Sequence, residues 1–452
     1  MASLGELLAR NARRAPDRDG LIFGERRLSY AELDGEVNRT AHALARRGLG
    51  KGDRLALMSP NTDAFVIVFY AAMRLGLIAV PVNPRSAAPE VAYLLDDSGT
   101  SVFVFDPSLA EVAVAGRDAS AGHPAVLAAR PTAGYDDLAT LAAEEAADDP
   151  RAAVDEADDA EILYTSGTTG RPKGVLFDHH RLIWVAFSVD LQMGFREHDR
   201  MLHVAPLYHS AELNLFLNGG TLIGATHVVL PAFDPTATLD AMERERISAF
   251  FGVPAMYQFL LAQPDLAERD LSTWRIGMYG AAPMPTSVVE RLTRELPAVE
   301  LYNLCGLTEA GPGGVFLGPR DQLRKLGAGG TAVLNTEARV VDEAGRDVAP
   351  GETGELILRG EMIMKEYWNN PEATVDAIRD GWLYTGDLGQ VDDEGYVTLV
   401  DRKKDMIITG GMNVYSIEVE NALAAHPDVV DCAVVGAPHP VYGESIMAVV
   451  TP

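Results

Sequence analysis

The run Tyr164-Thr-Ser-Gly-Thr-Thr-Gly-Arg-Pro-Lys-Gly174 constrains this chain more than any other stretch. Thr165, Ser166, Thr168 and Thr169 offer hydroxyl donors. Gly167, Gly170 and Gly174 let backbone amides approach an anion, and Lys173 adds a point positive charge. Such a loop suits a polyphosphate. The spacing is not that of a Walker A loop, because Gly170 is followed by Arg-Pro-Lys-Gly rather than by Lys-Ser or Lys-Thr. A Gly and Thr cluster alone would be an ordinary turn, so the weight lies in the complete run.

The surrounding chain reads as α/β. Ser29 and Glu32 form a capping-box pattern that predicts a helix start, with Leu33, Val37, Ala41 and Leu44 at helical spacing. Strand candidates at 55–58, 78–82 and 102–105 alternate with helices over about 63–75 and 89–96, and later strands fall at 227–230, 250–253 and 276–279. That alternation predicts a largely parallel sheet with crossover helices. The stretch 107–160 is rich in Ala, Asp and Glu and reads as surface helices and connections. From about 331 to 400, short β-type runs separated by Gly and Asp turns predict a β-rich subdomain.

With 452 residues and 47% hydrophobic content the chain can bury more than one core. Its 38 Lys and Arg against 65 Asp and Glu give a charge of -27, which repels nucleic acid and anionic lipid. Cys305 and Cys432 lie far apart, which indicates neither a disulfide framework nor a zinc site and fits a cytoplasmic location. The amino terminus lacks the apolar core of a signal peptide, and the apolar stretch 64–82 is interrupted by Arg74, Gly76 and Pro81, so no membrane anchor is expected. The oligomeric state is not legible.

The eleven-residue run resembles the signature of the acyl-adenylate-forming enzymes: acyl-CoA synthetases, aryl-CoA ligases, luciferases and peptide-synthetase adenylation domains. The resemblance extends over essentially the whole chain through later motifs in order. Tyr302-Asn303-Leu-Cys-Gly-Leu-Thr308-Glu309-Ala-Gly311 is similar to the second signature, which implies that Thr308 contacts the α-phosphate and Glu309 serves a magnesium ion. Carboxylate beside phosphate oxygens suits that hard cation. The residue before Gly306 is usually an aromatic ring stacked on adenine. Here it is Cys305, with Tyr302 as the nearby replacement and Asn303 beside it.

Tyr384-Thr-Gly-Asp387-Leu388 is similar to the ribose-binding motif, with Asp387 as ligand. The segment from Asp401 to Val414 resembles the hinge and the start of a mobile C-terminal domain. This implies Asp401 as hinge, Arg402 and Lys404 near the nucleotide, and Gly410-Gly411 lining a pantetheine channel after rotation. Ala205-Pro-Leu-Tyr-His209-Ser210 matches the motif whose His positions the carboxylate. Phe251-Gly-Val253-Pro254 and Gly280-Ala281-Ala-Pro283 would build the acyl pocket, Ala281 also bordering the nucleotide. Glu212, one turn beyond His209, either selects a polar acid in that pocket or is solvated or paired elsewhere.

The implied division is an adenylate-forming domain over 1–400 and a hinge with a small α+β domain over 401–452. The family's late Gly-Lys motif does not follow Asp401 in this sequence, and the chain is expected to be a C-terminally shortened member with slowed adenylation. The implied reaction consumes ATP and a small-molecule carboxylic acid, fatty or aryl, and passes the acyl group to coenzyme A. The alternatives are delivery to an acyl carrier protein, or a protein that binds the adenylate without forming it.

Overall fold

The computed structural model describes residues 3–165, 171–409, 412–424, 426, 429, 431–439 and 442–451. The helix Tyr30–Arg46 starts where the capping pattern predicts. The Ser29 hydroxyl accepts from the Glu32 amide, and the Glu32 carboxylate accepts from the Ser29 amide at 2.8 Å. Removing such a cap costs about 0.5 to 2 kcal/mol. The helix Asp63–Leu75 is capped by Thr62 and stopped by Gly76 in the left-handed conformation, and all of its residues are buried. A helix that is apolar around its whole circumference must be covered on every side. Helices Leu4–Arg14 and Tyr30–Arg46 supply part of that cover.

Two large sheets form around this core. Among the described residues the first has nine strands, and its centre is parallel from Glu300–Gly306 through Ile276–Gly280, Ala249–Gly252, Arg200–His203 and Thr226–Val229 to Asp19–Phe23. The second runs from Glu366–Tyr367 through Lys173–Asp178, Asp159–Thr165, Ile78–Val82, Arg54–Met58 and Val102–Phe105 to Ala125–Ala128. Both sheets are largely parallel, as expected, with antiparallel pairs confined to their margins. Gly314–Leu317 and Arg26–Ser29 pair antiparallel at the margins of the first, and Asp159–Thr165 pairs antiparallel with Lys173–Asp178 in the second.

Two segments differ from the sequence expectation. The stretch 107–160 contains the parallel edge strand Ala125–Ala128, not only helices and connections. The β-rich subdomain begins at Thr336, because Thr331–Ala332 belongs to the first sheet, and Glu366–Tyr367 leaves it to pair with Leu176 and Val175 of the second. Among the described residues its five strands end at Arg402. Beyond it, Ile407–Thr409, Met412–Val414, Asp431–His439 and Gly443–Thr451 form a small sheet with the helix Ser416–Ala424.

Candidate active site

Adjacent parallel strands of the first sheet end together. Gly252, Gly280 and Gly306 close three of them, and the chain leaving His203 runs on to His209. Ligands of open α/β sheets bind at this carboxyl edge. Gly280 admits no side chain, since a Cβ there would stand 2.4 Å from the Leu304 carbonyl oxygen. Ala281 follows with φ +66°, a left-handed conformation costly for a residue with a Cβ. The strained Ala281 thus follows directly on the strand end at Gly280. Phe251 is buried on the sheet face that packs against helix His179–Met193, while Val253 caps the helix Pro254–Leu261.

Thr308 and Glu309 stand in a single 3-10 turn directly after strand Glu300–Gly306. The Thr308 hydroxyl lies 3.1 Å from that of Ser210, which joins the second signature to the His209 segment. His209 stands at the open rim with its ring 4.3 Å from the Tyr208 ring, and desolvation holds its pKa below the ordinary value.

Glu309 is reached from the second sheet. The Tyr367 hydroxyl donates to Glu309 Oε1 at 2.8 Å, and the Tyr367 ring carries the Lys173 ammonium 4.0 Å from its centroid. Tyr367 has this position because its short strand pairs with that of Lys173, placing Tyr367 opposite Val175. Thr165 and Lys173 face each other across the hairpin that flanks the phosphate loop. Ser166, Gly167, Thr168, Thr169 and Gly170 lie outside the described residues. Gly174 has a different reason from the one its motif suggests: a Cβ there would meet Ile162 at 2.7 Å and Trp368 at 3.2 Å, so packing accounts for it.

The β-rich subdomain contributes a third group. Asp387 and Arg402 are register partners on neighbouring strands, with Arg402 Nε 3.3 Å from Asp387 Oδ1. Burial pushes the Asp387 carboxyl up to about 6, against the opposing pull of Arg402; Glu309 and Glu355 add to the rise. Cys305 feels the Asp387 and Arg402 charges as well, and burial pushes its thiol up to about 12.

Tyr302 does not replace the missing ring. Successive strand residues face opposite ways, and Tyr302 packs with Phe251, Met278 and Leu304 on the far face from Cys305. Asn303 shares the Cys305 face, where its amide donates to the Ala328 carbonyl at 3.0 Å.

The hinge candidate Asp401 is buried. Its Oδ2 accepts from the Ser416 amide at 2.6 Å and its Oδ1 from the Ser416 hydroxyl at 3.1 Å, so it holds the start of helix Ser416–Ala424. Lys404 is separate from the cluster, 3.9 Å from Asp405 and substantially exposed. Gly410 and Gly411 lie outside the described residues. Glu212 is fully buried and paired with His203 at 2.6 Å, so it is not solvated. Sequence reasoning missed Tyr367, which nothing but sheet pairing brings to the site, and left Ser210 without a role.

Comparison with known proteins matches this arrangement. The model of the AMP-binding enzyme family covers residues 8–368, and that of the AMP-binding enzyme C-terminal domain covers 418–452. Feruloyl-CoA synthase from Amycolatopsis sp is 40% identical over 99% of this chain and 88% of its own length. The long-chain-fatty-acid–CoA ligase FadD13 of Mycobacterium tuberculosis is 38% identical over 100% of this chain and 88% of its own. The solved structure of the anthranilate CoA ligase AuaEII in complex with anthranoyl-AMP superposes with a TM-score of 0.92 at 26% identity, covering 99% of this chain and 86% of that one. The fold, the signatures and matches that span this chain lead to one conclusion: the chain belongs to the AMP-binding enzyme family and is an AMP-forming acid–thiol ligase.

Proposed function

We propose that this enzyme activates an apolar carboxylic acid, fatty or aryl, as its acyl-adenylate at the carboxyl edge of the first sheet and then passes the acyl group to coenzyme A. The observation that carries this reading is the convergence of Lys173, Tyr367 and Glu309 from one side with Thr308 and Ser210 from the other. In the first step a carboxylate oxygen attacks the α-phosphorus of ATP and pyrophosphate leaves. Lys173 and the Thr308 hydroxyl stand on the side where charge grows, and fixed donors of this kind are worth about 2.7 to 4 kcal/mol each. His209 orients the acid at the rim. Asp387 accepts from the ribose hydroxyls, and a division at Asp401 separates residues 1–400 from a segment that reorients for the thiol step.

The donor set fits magnesium. Glu309 offers a hard carboxylate, and among the described residues no group of three His, Cys, Asp or Glu side chains could hold a metal. Glu309 would hold magnesium together with the bound nucleotide, and the ion would supply neutralisation of phosphate charge. The apolar preference rests on the core that borders Phe251, where Met278, Leu304 and Phe216 are all buried. It also accords with relatives named for feruloyl and long-chain fatty acyl substrates. Among the described residues no helix is long and apolar enough to cross a membrane.

The test is a panel of fatty, aryl-propenoic and amino acids in ATP–pyrophosphate exchange, followed by coenzyme A or acyl carrier protein as acceptor. Exchange with the apolar acids and thioester formation on coenzyme A support the reading. Exchange with amino acids alone, or acylation of the carrier protein alone, contradicts it.

A further inference from the structure

Directly after His209 and Ser210 the chain winds as a π-helix, Ala211–Leu217, before continuing as the α-helix Asn218–Ile223. A π-helix is intrinsically poor and persists only where something holds it, often beside a functional site. Here it is held from two sides. Glu212 reaches His203 on the first sheet, and Asn214 reaches Glu161 on the second, on the strand that leads into the phosphate loop. All four side chains are fully buried.

The two anchors belong to one continuous hydrogen-bonded chain, and its polarity follows from donor arithmetic. Asn214 Nδ2 donates to Glu161 Oε2 at 2.9 Å, and Asn218 Nδ2 donates to Asn214 Oδ1 at 3.1 Å. Asn218 Oδ1 then accepts the single Tyr70 proton at 3.0 Å. Thr221, 2.7 Å from the Tyr70 oxygen, must donate to it, so Thr221 in turn accepts from His227 Nε2 at 3.1 Å. Burial keeps both imidazoles neutral, lowering His203 far below its ordinary value and His227 to about 3. His227 Nδ1 therefore accepts from His203 Nε2 at 2.9 Å, and His203 Nδ1 accepts from Glu212 Oε1 at 2.6 Å. Each link of the chain then has one donor and one acceptor, and Glu212 carries the proton of the last link, in keeping with the rise that burial imposes on its carboxyl.

We infer that the chain of side chains from Glu212 through His203, His227, Thr221, Tyr70, Asn218 and Asn214 to Glu161 is a strut that fixes the His209–Ser210 segment between the phosphate-loop strand and the acyl-site sheet. Its members are positioning residues. The π-helix transmits the position directly: the Leu213 amide donates to the His209 carbonyl at 3.0 Å, and Ser210 meets Thr308 at 3.1 Å. A polar strut suits this purpose better than apolar packing because a hydrogen-bonded chain has one register, whereas apolar side chains tolerate sliding.

The inference rests on the site reading above, and its test separates the two. The affinity of a hydrolysis-resistant decanoyl-sulfamoyl-adenosine and that of AMP are measured by calorimetry on the full chain and on Glu212→Leu, Asn214→Ala and Glu212→Gln. Failure of the parent chain to bind the analogue would reject the site reading. If the parent binds, Glu212→Leu and Asn214→Ala are expected to lose at least ten-fold in analogue affinity and less than three-fold in AMP affinity. Glu212→Gln, which still donates to His203, should stay within three-fold. Combining Glu212→Leu with His209→Ala should add little to either single loss. Analogue affinity within three-fold of the parent in folded Glu212→Leu, or equal losses for analogue and AMP, overturns the strut. Asn214→Ala cuts the other anchor and decides the matter if Glu212→Leu does not fold.

Discussion

The Tyr367 hydroxyl donates a 2.8 Å hydrogen bond to Glu309 Oε1, which ties the second signature to the strand beside the phosphate-loop hairpin. Tyr367 lies on the second sheet and Glu309 in the turn after a strand of the first, so their contact joins the two halves of the site. Tyr367→Phe keeps the ring beneath Lys173 and removes only this donor. A hydrogen bond to a charged group is worth about 1.5 to 3 kcal/mol. The variant should lower the rate of pyrophosphate exchange roughly ten-fold and raise the magnesium concentration needed for half-maximal rate. Unchanged magnesium dependence would remove Tyr367 from the site.

Asp387 gives a pH signature. Its carboxyl is pushed up to about 6, and in the proposed role the ionised form is the one that would accept from both ribose hydroxyls. Nucleotide affinity should therefore be constant above about pH 7 and fall as pH drops through 6. Asp387→Asn should bind AMP weakly at every pH and lose that inflection, as calorimetric titration between pH 5 and pH 8 would show.

Glu161 makes the opposite kind of prediction, about stability. Burial raises its carboxyl to about 8, whereas in the unfolded chain it returns to the ordinary carboxylate range. Because the folded value is the higher one, the penalty is absent at acid pH, grows as pH rises from the ordinary range, and is complete above about 8. Glu161→Gln keeps an acceptor for Asn214 and removes the titration. Its melting temperature should match the parent near pH 4 and exceed it near pH 8, by up to about 4 kcal/mol of stability. A constant difference between parent and variant across this range would refute the assignment.

Asp401 holds Ser416 through both carboxylate oxygens. Asp401→Ala should leave the two large sheets intact while releasing the start of helix Ser416–Ala424. Hydrogen exchange at the Ser416 amide should accelerate at least ten-fold, roughly the loss of one charge-assisted bond, with core amides unchanged. Equal exchange in parent and variant would remove Asp401 from the hinge.

The parts of this molecule that were legible are those whose signal is local. The Ser29–Glu32 box announces its helix because the cap needs only those residues, and Ile78–Val82 and Val102–Phe105 are plain apolar runs buried on both faces. Ala125–Ala128 escaped notice because an alanine-rich edge strand, half exposed, has no period to read. Tyr302 was misplaced for want of parity: three residues from Cys305 along a strand is the opposite face. Tyr367 and the buried partners of Glu212 were invisible because tertiary pairing alone brings them together. Ligand motifs can be proposed from sequence since polyphosphate chemistry demands particular residue types at short spacing, whereas the supports behind them carry no such demand.

The most direct test of the central claim is acid-dependent ATP–pyrophosphate exchange with a decanoate and ferulate pair, measured on the parent chain and on Glu309→Gln and Lys173→Ala. The expected result is exchange with at least one of the two acids, release of AMP when coenzyme A is added, and a loss of about a hundred-fold or more in each variant, the scale of one transition-state donor. Formation of ADP and phosphate, or exchange that survives both substitutions, would contradict it.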